Sequence, residues 1–450
     1  MKFKKKSRAI KINKNGSGQK LWKEAKKIIP GGNMFLSKKS EMYLPNLWPS
    51  YFKSAKGCYV KDLDNKSYTD MTMGIGTNIL GYSNSFVNKA VINAIKNSSM
   101  STLNAEEEVM LAKKLLKIHK WAGGVKFART GGEANALSLR IARSYNKQKT
   151  NIAFCGYHGW HDWYLSANLS KKNNLDKHLL KGLNPLGVPK ELKNTVFPFE
   201  YGNFEQIKNI IKNKKIGIIK METSRSLHPD LKFLKFIRNI CSKKNIILIF
   251  DECTSGFRQT FGGIHKLYNL KPDIAVFGKS LGNGFAITAV LGKKKIMQSS
   301  INSFISSTFW SERVGYVAAL ETLKQMEKTK SWKKISRLGN YFRKKLKVVS
   351  KKNNIQVEIK GLLAIPNFSI KNDTKNIYKT YITQEMLKNG FIINNSVYIS
   401  ICHNEKIFDK FFNVLDKIFK EINKHKSEKK IKKFLDDKVS VTGFGRLNLN

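Results

Sequence analysis

Short apolar runs alternate with longer amphipathic stretches through the middle of the chain. Ile152–Cys155, Ile216–Met221 and Ile246–Phe250 are too short for helices and lack a polar face, as is typical of buried parallel strands. The longer stretches that alternate with such runs, for example Glu133–Tyr145 and Leu231–Lys243, repeat apolar residues at helical spacing. The pattern therefore predicts an α/β fold in which a mostly parallel sheet is covered by helices on both faces.

The same reasoning predicts further elements and a division of the chain. We expect residues 1–55 to form an N-terminal segment that starts as a mobile arm and contributes to a small lobe. Residues 56–325 would form the large domain, and residues 326–450 a smaller α+β domain, whose last stretch, 439–450, carries no clear pattern. The further strands are Gly57–Asp62, Ser67–Met71 (with a hairpin turn at Asp64-Asn65), Val125–Ala128, Ile274–Phe277 and Ala286–Leu291. The further helices are Leu21–Ile29 (ended by Pro30-Gly31-Gly32), Phe86–Lys96, Ala105–Lys117, one from about Ser311 to Met326, Trp332–Val349 and Ile407–His425.

The composition favours a folded protein with an unusually basic surface. Hydrophobic residues make up 41% of the 450 positions, and 83 Lys and Arg against 32 Asp and Glu give a formal charge of +51. Such a surface attracts polyanions, so nucleic-acid binding is one interpretation. The lysines are spread over the whole length, however, and Asn and Ile, which share A/T-rich codons with Lys, are also abundant. No helix-turn-helix, zinc-finger or RNP signature accompanies the charge, so we expect no specific nucleic-acid partner.

The sequence gives no indication of export, membrane insertion or a metal site. The basic N-terminal stretch has no apolar run behind it, and the later apolar runs are too short to cross a bilayer, which predicts a soluble cytoplasmic protein. The five cysteines form no CxxC pair and are odd in number, so neither a zinc site nor a disulfide framework is expected. His158 and His161 lack an evident third ligand. For both, and for Asp162, structural hydrogen bonding is the default interpretation.

Three candidate groups fall at the carboxyl ends of predicted strands, where open parallel sheets collect ligands. Thr130-Gly131-Gly132 lies between a strand and a helix, where backbone N–H groups and the helix dipole suit an anion; a tight structural turn is the alternative. Asp251 follows an apolar strand and either pairs with a cation, such as a protonated ring nitrogen, or caps a turn. Lys279 follows another strand in a glycine-rich turn, where desolvation would make its amine nucleophilic. Most lysines in such a chain are solvated, so only its position distinguishes it.

Other enzyme motifs do not fit. Gly74-Ile75-Gly76 followed by Gly81 has the wrong spacing for a dinucleotide-binding fingerprint. The sequence contains neither a P-loop nor a GxSxG nucleophile elbow.

Taken together, these segments resemble the class III aminotransferases of fold type I, in particular the branch similar to glutamate-1-semialdehyde 2,1-aminomutase. The resemblance runs from about Pro30 to about Phe419, with its motifs in the family's order. The matching segments are Arg129-Thr130-Gly131-Gly132-Glu133-Ala134 (the phosphate loop), Tyr157-His158-Gly159, Asp251-Glu252-Cys253-Thr254-Ser255-Gly256-Phe257-Arg258, and Gly278-Lys279.

This resemblance implies pyridoxal 5′-phosphate (PLP) as cofactor, with Lys279 as the Schiff-base lysine and Asp251 as the partner of the pyridine nitrogen. It also implies that Tyr157 and Cys253 flank the ring. Thr308 falls where the family places a threonine that reaches the neighbouring subunit's PLP phosphate, which implies a homodimer with shared active sites. The implied phosphate-binding residues are Thr130, Gly131, Gly132 and the partner subunit's Thr308.

The substrate-side residues depart from the aminomutase pattern. Lys38 is the best stand-in for the arginine that grips the substrate carboxylate, and a lysine does not replace a bidentate arginine well. Met73-Gly74-Ile75-Gly76 lacks the tryptophan of the family's turn, Arg129 replaces an asparagine, and Ser307–Arg313 is bulkier. We therefore expect an aminotransferase that uses an amino-acid donor and a different keto or aldehyde acceptor, such as a keto-sugar. The alternatives are a true 2,1-aminomutase and a non-catalytic nucleic-acid-binding protein that kept the PLP fold.

Overall fold

The computed structural model describes residues 9–224 and 228–444, and the strands in these ranges form three sheets. One sheet has seven strands, one has four and one has two. The strands are β1 Phe52–Lys56, β2 Tyr59–Asp62, β3 Ser67–Asp70, β4 Gly124–Ala128, β5 Asn151–Cys155, β6 Val196–Pro198, β7 Ile216–Glu222, β8 Ile247–Glu252, β9 Ile274–Phe277, β10 Thr288–Gly292, β11 Val357–Lys360, β12 Asn367–Ile370 and β13 Phe391–Ile392.

The helices of the described ranges surround these sheets, and three of them have only four residues. They are α1 Ser17–Ile28, α2 Met73–Gly76, α3 Ser85–Lys96, α4 Glu106–Ile118, α5 Gly131–Tyr145, α6 Asp162–Leu165, α7 Ala167–Ser170, α8 Phe204–Asn213, α9 Leu231–Lys244, α10 Lys294–Gln298, α11 Arg313–Thr329, α12 Ser331–Lys352, α13 Ile377–Lys388, α14 Glu405–His425 and α15 Glu428–Lys432.

The seven-stranded sheet runs in the order β4-β10-β9-β8-β7-β5-β6 and confirms the predicted mostly parallel arrangement. Strands β5 to β9 pair in parallel, whereas β10 runs antiparallel to both β4 and β9. Strands β7, β8 and β9 are buried along their whole length, which explains their continuous apolar sequences. One boundary was wrong: β8 continues through Asp251 and Glu252, so Asp251 lies in the strand's last two residues rather than after it.

Helices cover both faces of this sheet, as the pattern predicted. Helix α5 packs on one face through an apolar cluster that includes Leu137 and Ile141, together with Ile249 of β8. Helix α9 packs on the other face through Phe233 and Ile237. The carboxyl ends of the parallel strands therefore open between two helical layers, at one edge of a rigid core.

The smaller sheets join segments that are far apart in sequence. In the order β1-β2-β3-β13, the first three strands pair antiparallel and β3 pairs in parallel with β13. The hairpin β11–β12 lies nearby in the chain, and helices α12 and α14 pack together through Phe342, Phe408 and Phe412. Because β3 pairs with β13, the sheets cross the predicted limits of the large and small domains, and those limits stay a prediction.

The N-terminal segment is more ordered than the sequence indicated. Helix α1 begins at Ser17, four residues before the predicted start, and the Ile10 N–H donates to the Lys388 carbonyl at 2.7 Å. Residues 1–8 of the predicted arm, and residues 445–450 at the other end, lie outside the described residues. In the described ranges, no helix has the length and apolar character that a membrane span requires.

Candidate functional site

Asp251 and Lys279 come together because their strands are neighbours. Strands β8 and β9 pair in parallel with Asp251 opposite Val276 and Glu252 opposite Phe277, so Lys279 follows β9 just beyond the level of Asp251. The loop from Thr130 to Gly132 follows β4 at the same edge, because β4 runs antiparallel to β10, which itself runs antiparallel to β9. The fold thus places all three candidate groups at one end of the sheet.

Asp251 is a buried carboxylate, 3% exposed, that is held as an anion. Its Oδ2 lies 2.8 Å from Nδ1 of His158, and its Oδ1 accepts the Cys253 N–H at 3.0 Å. His158 Nε2 lies 3.1 Å from the Cys155 carbonyl. Because a carboxylate and a carbonyl both accept, both imidazole nitrogens donate. Burial alone would raise the pKa of Asp251, but the hydrogen bond and charge of His158, the charge of Lys220 and the Cys253 N–H hold this pKa well below its ordinary value.

Lys279 is half-buried and its amine has a defined partner. Its Nζ donates to Thr254 Oγ1 at 2.7 Å, and its backbone adopts a left-handed conformation with φ of +40°. A side chain at Gly278 would place its Cβ 3.0 Å from Thr288 Cγ2 and 3.4 Å from Cys253 Sγ, which leaves little room for any residue but glycine. The turn therefore brings the lysine backbone against the end of β8 and directs the amine to the segment that follows Asp251.

The loop Thr130–Gly132 forms the start of helix α5. Thr130 caps the helix in a capping box: its Oγ1 accepts the Glu133 N–H at 3.3 Å, and the Glu133 carboxylate accepts the Thr130 N–H at 2.7 Å. The N–H groups of Gly131 and Gly132 belong to the first helical turn, which lacks intrahelical acceptors. A Cβ on Gly131 would lie 3.7 Å from Cys253 Sγ, so the loop lies next to the residue that follows β8.

Tyr157 approaches the same loop from the end of β5. Gly159 has φ of +104°, and a Cβ there would come within 2.8 Å of the Gly132 Cα, so the two loops are in close contact. The Tyr157 N–H donates to Glu222 Oε2 at 3.0 Å. The Tyr157 ring packs against the apolar cluster that contains Cys253. Tyr157 and Cys253 thus belong to the same apolar layer at this end of the sheet.

Thr308 is not part of this group within one chain. It lies exposed at the start of the short turn Thr308–Ser311. Arg129 holds this turn: its Nε donates to the Phe309 carbonyl at 2.6 Å, its guanidinium also reaches the carbonyls of Trp310 and Glu312, and it lies 5.1 Å from the Tyr316 ring. The replacement of the family's asparagine by Arg129 therefore has a structural consequence, since the arginine joins the phosphate loop to the Thr308 segment.

The sequence reasoning assigned no role to several residues of this site. Thr254 binds the Lys279 amine, and His158, expected only to make structural hydrogen bonds, pairs with Asp251. Arg258 is fully buried and donates to the Thr254 carbonyl at 2.6 Å and to the Gly76 carbonyl, and burial lowers its pKa to about 10. Lys220 lies fully buried in β7. The sequence could have identified Lys220, because a lysine inside an apolar strand is unusual. The roles of Thr254, His158 and Arg258 could not be identified in this way, because their partners are brought together only by tertiary contacts.

A cavity of about 550 Å³ adjoins this end of the sheet. Gly284, in the glycine-rich turn after Lys279, contributes to its wall, and so do Lys38, Gly74 and Ile75, where the sequence departs from the aminomutase pattern. The rest of the lining combines apolar side chains such as Trp48 and Val60 with the carboxylates of Asp62 and Asp70 and with hydroxyl and amide groups, which are those of Ser50, Tyr51, Thr72, Thr77, Asn78 and Tyr82. Lys38, Gly74 and Ile75, which are distant in sequence, therefore line one cavity.

The residues of this site fit PLP. Each Asp251 oxygen has one protein donor and keeps a lone pair for a ring N–H. The glycines at the start of α5 leave backbone N–H groups accessible to a phosphate, and the Lys279 amine lies beyond the neighbouring strand. Within residues 9–224 and 228–444, no group of three or more His, Cys, Asp or Glu side chains could hold a metal ion.

Comparisons with known proteins agree with this geometry. The aminotransferase class-III family matches residues 45–407. The chain is 31% identical to the 3-aminobutyryl-CoA aminotransferase of Cloacimonas acidaminovorans (strain Evry) over 83% of this chain and 89% of that protein. It is 32% identical to the glutamate-1-semialdehyde 2,1-aminomutase of Wigglesworthia glossinidia brevipalpis over 90% of this chain and 98% of that protein.

Solved structures show the same fold. The FumI protein of Sphingopyxis sp. MTA144, in its PLP internal aldimine form, superimposes with a TM-score of 0.82 at 22% identity, over 91% of this chain and 97% of that chain. An omega-transaminase from Sphaerobacter thermophilus gives a TM-score of 0.80 at 19% identity, over 90% and 97%. The chain therefore belongs to the class-III aminotransferases, and it is a PLP-dependent enzyme of fold type I.

Proposed function

We propose that this enzyme transfers an amino group from an amino-acid donor to a small keto or aldehyde acceptor, with Lys279 as the residue that bonds the cofactor. The observation that carries the proposal is the arrangement of Asp251 and Lys279 at the ends of neighbouring strands, with Thr254 bound to the lysine amine at 2.7 Å. PLP, when bound, supplies an electrophilic aldehyde and an electron-withdrawing ring.

The side chains and backbone groups of the protein have separate roles in binding the cofactor and in proton transfer. Asp251 holds a proton on the ring nitrogen, and His158 keeps that carboxylate ionised in its buried position. The Lys279 amine, when it is not bonded to the cofactor, would act as the general base that takes a proton from the substrate carbon and would then donate that proton to the carbon that had been the cofactor's aldehyde. Thr254 orients this amine between the two transfers. Tyr157 and Cys253 flank the ring, and Thr130, Gly131 and Gly132 bind the phosphate.

We further propose a homodimer in which the partner subunit's Thr308 completes each phosphate site. Three large apolar side chains near Thr308 support this: Ile301 is 77%, Phe304 86% and Phe309 69% exposed. Such an exposed apolar group marks an interaction surface. Arg129 fixes the backbone of this segment, as a contact to a second subunit requires. Sedimentation velocity should give twice the mass of the chain, and Phe304→Glu should shift the protein toward monomer.

The acceptor is proposed to be a polar carbonyl compound, with a keto-sugar as one example. The cavity near Gly284, of about 550 Å³, supports this, because its partly apolar wall also carries several hydroxyl groups, the carboxylates of Asp62 and Asp70 and the exposed Lys38. A 2,1-aminomutase is the second candidate, favoured by the 32% identity to that enzyme over 90% of this chain. Against it stand Lys38 in place of arginine and Ile75 in place of tryptophan.

A half-reaction separates the two candidates. The PLP-loaded enzyme is mixed with single amino acids, and its absorption spectrum is followed without any carbonyl compound. An aminotransferase accumulates the pyridoxamine form and releases one keto acid per site, and an acceptor then restores the original spectrum. A mutase needs no external donor, so it would give little pyridoxamine form with glutamate or alanine. The Lys279→Ala protein is the control and should show no catalytic exchange.

A further inference from the structure

Lys220 is a cation buried in the sheet beneath the proposed cofactor site. It lies in β7, where Ile218, Ile219 and Met221 are also fully buried, and its own exposed fraction is 0%. Its Nζ donates to Ser138 Oγ on helix α5 at 2.9 Å, which is its one hydrogen bond in the described part of the chain. A single neutral acceptor compensates a buried ammonium poorly. A charge in this position therefore calls for an explanation other than packing.

The nearest strand supplies the opposite charge. Strands β7 and β8 pair with Glu222 opposite Asp251, and side chains two residues apart on a strand share a face, so Lys220 and Asp251 point to the same side of the sheet. Burial lowers the pKa of Lys220 to about 8, while the charge of Asp251 opposes this shift. The ammonium in turn helps to keep Asp251 ionised. The two charges are thus coupled without a direct ion pair.

We propose that Lys220 is a positioning residue for the cofactor: its positive charge, placed behind Asp251, limits how strongly that carboxylate attracts positive charge on the bound ring. The inference rests on the proposed role of Asp251 and Lys279. Without Lys220, Asp251 would act on the ring as an uncompensated anion and would favour the protonated state of the cofactor–lysine linkage up to a higher pH.

Replacing Lys220 removes a charge that acts directly on Asp251 and Cys253, and Asp251 carries the effect to the bound ring. Asp251 and Cys253 interact with Lys220 electrostatically from the β8 side, and His158 reaches Asp251 from the loop after β5. Helix α5 contributes the hydroxyl of Ser138, which does not titrate. Among the described residues, Asp251 and Cys253 act directly on Lys220, His158 and Lys279 act in turn on these two groups, and Glu222 shares the strand face with Lys220.

The test is the pH titration of the bound cofactor's long-wavelength absorption band in the wild type, Lys220→Met and Ser138→Ala. Methionine keeps the length and volume of the side chain without its charge, whereas Ser138→Ala removes the hydrogen bond and keeps the ammonium. We expect the midpoint to rise by about one pH unit in Lys220→Met, and by less than about 0.3 units in Ser138→Ala. An unchanged midpoint in Lys220→Met, or an equal shift in Ser138→Ala, overturns the proposal.

Two further outcomes are informative. If Lys220→Met and Lys220→Ile both fail to fold, Lys220 is needed for the fold itself and the proposal is wrong, because a residue kept for its charge is replaceable by an apolar one. The proposed function requires a long-wavelength band in the wild type that is absent from Lys279→Ala. If this difference between the two proteins is not observed, the proposed function fails instead. The two failures are therefore distinguishable.

Discussion

The two sides of the candidate active site are built in different ways. On the cofactor side, the ends of adjacent buried strands carry Asp251 and Lys279, and each side chain has a hydrogen-bond partner at 3.0 Å or less. On the substrate side, the cavity wall combines Lys38 from the N-terminal segment with the turn Met73–Gly76. In that turn Ile75 adopts φ of +58°, a strained conformation for a β-branched residue.

The fold determines the positions of the groups on the cofactor side, whereas the side chains on the substrate side can vary from one sequence to another. The sheet fixes the cofactor groups through many backbone hydrogen bonds, so a change there disturbs the chemistry itself. The substrate wall depends on loops that tolerate substitution, which is where specificity differs among enzymes of one fold. Changes on the cofactor side should therefore lower the turnover rate, and changes on the substrate side should alter substrate binding.

The largest expected effect is that of Asp251→Asn. The amide keeps the size of the side chain but cannot hold a proton on the ring nitrogen, so we expect kcat to fall about a thousandfold with the cofactor still bound. The control is Asp273→Asn, a buried aspartate near the amino end of β9 that accepts from Arg238 at 2.9 Å. This control should lose stability but retain kcat per folded molecule. Equal losses of kcat in both variants would contradict the role of Asp251.

Arg129→Met tests the connection between the phosphate loop and the Thr308 segment. Without the guanidinium, the backbone of residues 308–312 loses several hydrogen bonds, so we expect PLP affinity to fall about 30-fold, equivalent to about 2 kcal/mol. Fluorescence titration of the apoenzyme with PLP measures this. Arg143→Met is the control, because Arg143 lies on helix α5, which follows the Arg129 loop, and its side chain binds only the Thr150 carbonyl in the described chain. A PLP affinity that stays at the wild-type value would refute this connection.

The scaffold of the substrate side should be sensitive to acid. His403 is fully buried, with Nδ1 accepting the Ser400 N–H at 3.1 Å and Nε2 lying 3.1 Å from the Asp70 carbonyl, which requires the neutral ring. Burial lowers its pKa to about 4. As the pH falls from about 6.5 toward 4, the unfolded chain binds a proton that the folded protein does not, so this residue removes about 1.4 kcal/mol of unfolding free energy per pH unit, a tenfold change in the equilibrium.

Urea unfolding between pH 7 and pH 5 measures this loss. His403→Gln should reduce the slope of stability against pH by about one proton. If the His403 variant shows the same slope as the wild type, this histidine does not cause the acid sensitivity.

Lys38→Ala should have the smallest effect. An exposed lysine contributes about 1 kcal/mol to the binding of an anionic group, so we expect KM to rise about fivefold with kcat within about twofold, using the amine identified by the half-reaction screen. Lys53→Ala, an exposed lysine of the same sheet region, is the control. A fall in kcat without a change in KM would place Lys38 in the chemistry rather than in substrate binding.

The sequence predicted the positions of the candidate groups at the strand ends because the signals for them are local. Thr130, Asp251 and Lys279 each end or follow a strand that the apolar pattern reveals, and the parallel sheet then brings them to one edge. The environment of Lys220 and the partner of His158 were not predictable in this way, since both depend on contacts between separate strands and helices. Helix α13 was missed because it is buried around most of its circumference, which removes the amphipathic period.

Short and distant pairings were missed for a related reason. Strand β13 has two residues, and its pairing with β3 joins positions more than 300 apart in the chain, so no local pattern predicts it. Strand β6 has only three residues. The substrate cavity depends on the same long-range packing. Its residues were named from the resemblance, but their proximity became evident only in the fold.

The identity of the lysine that bonds the cofactor tests the account most directly. The PLP-loaded enzyme is reduced with borohydride, digested, and analysed by peptide mass spectrometry. We predict one cofactor-sized adduct per chain, on the peptide that contains Lys279, and none in the Lys279→Ala protein. A stoichiometric adduct on any other lysine, or a wild-type protein that yields no adduct, would contradict the central claim.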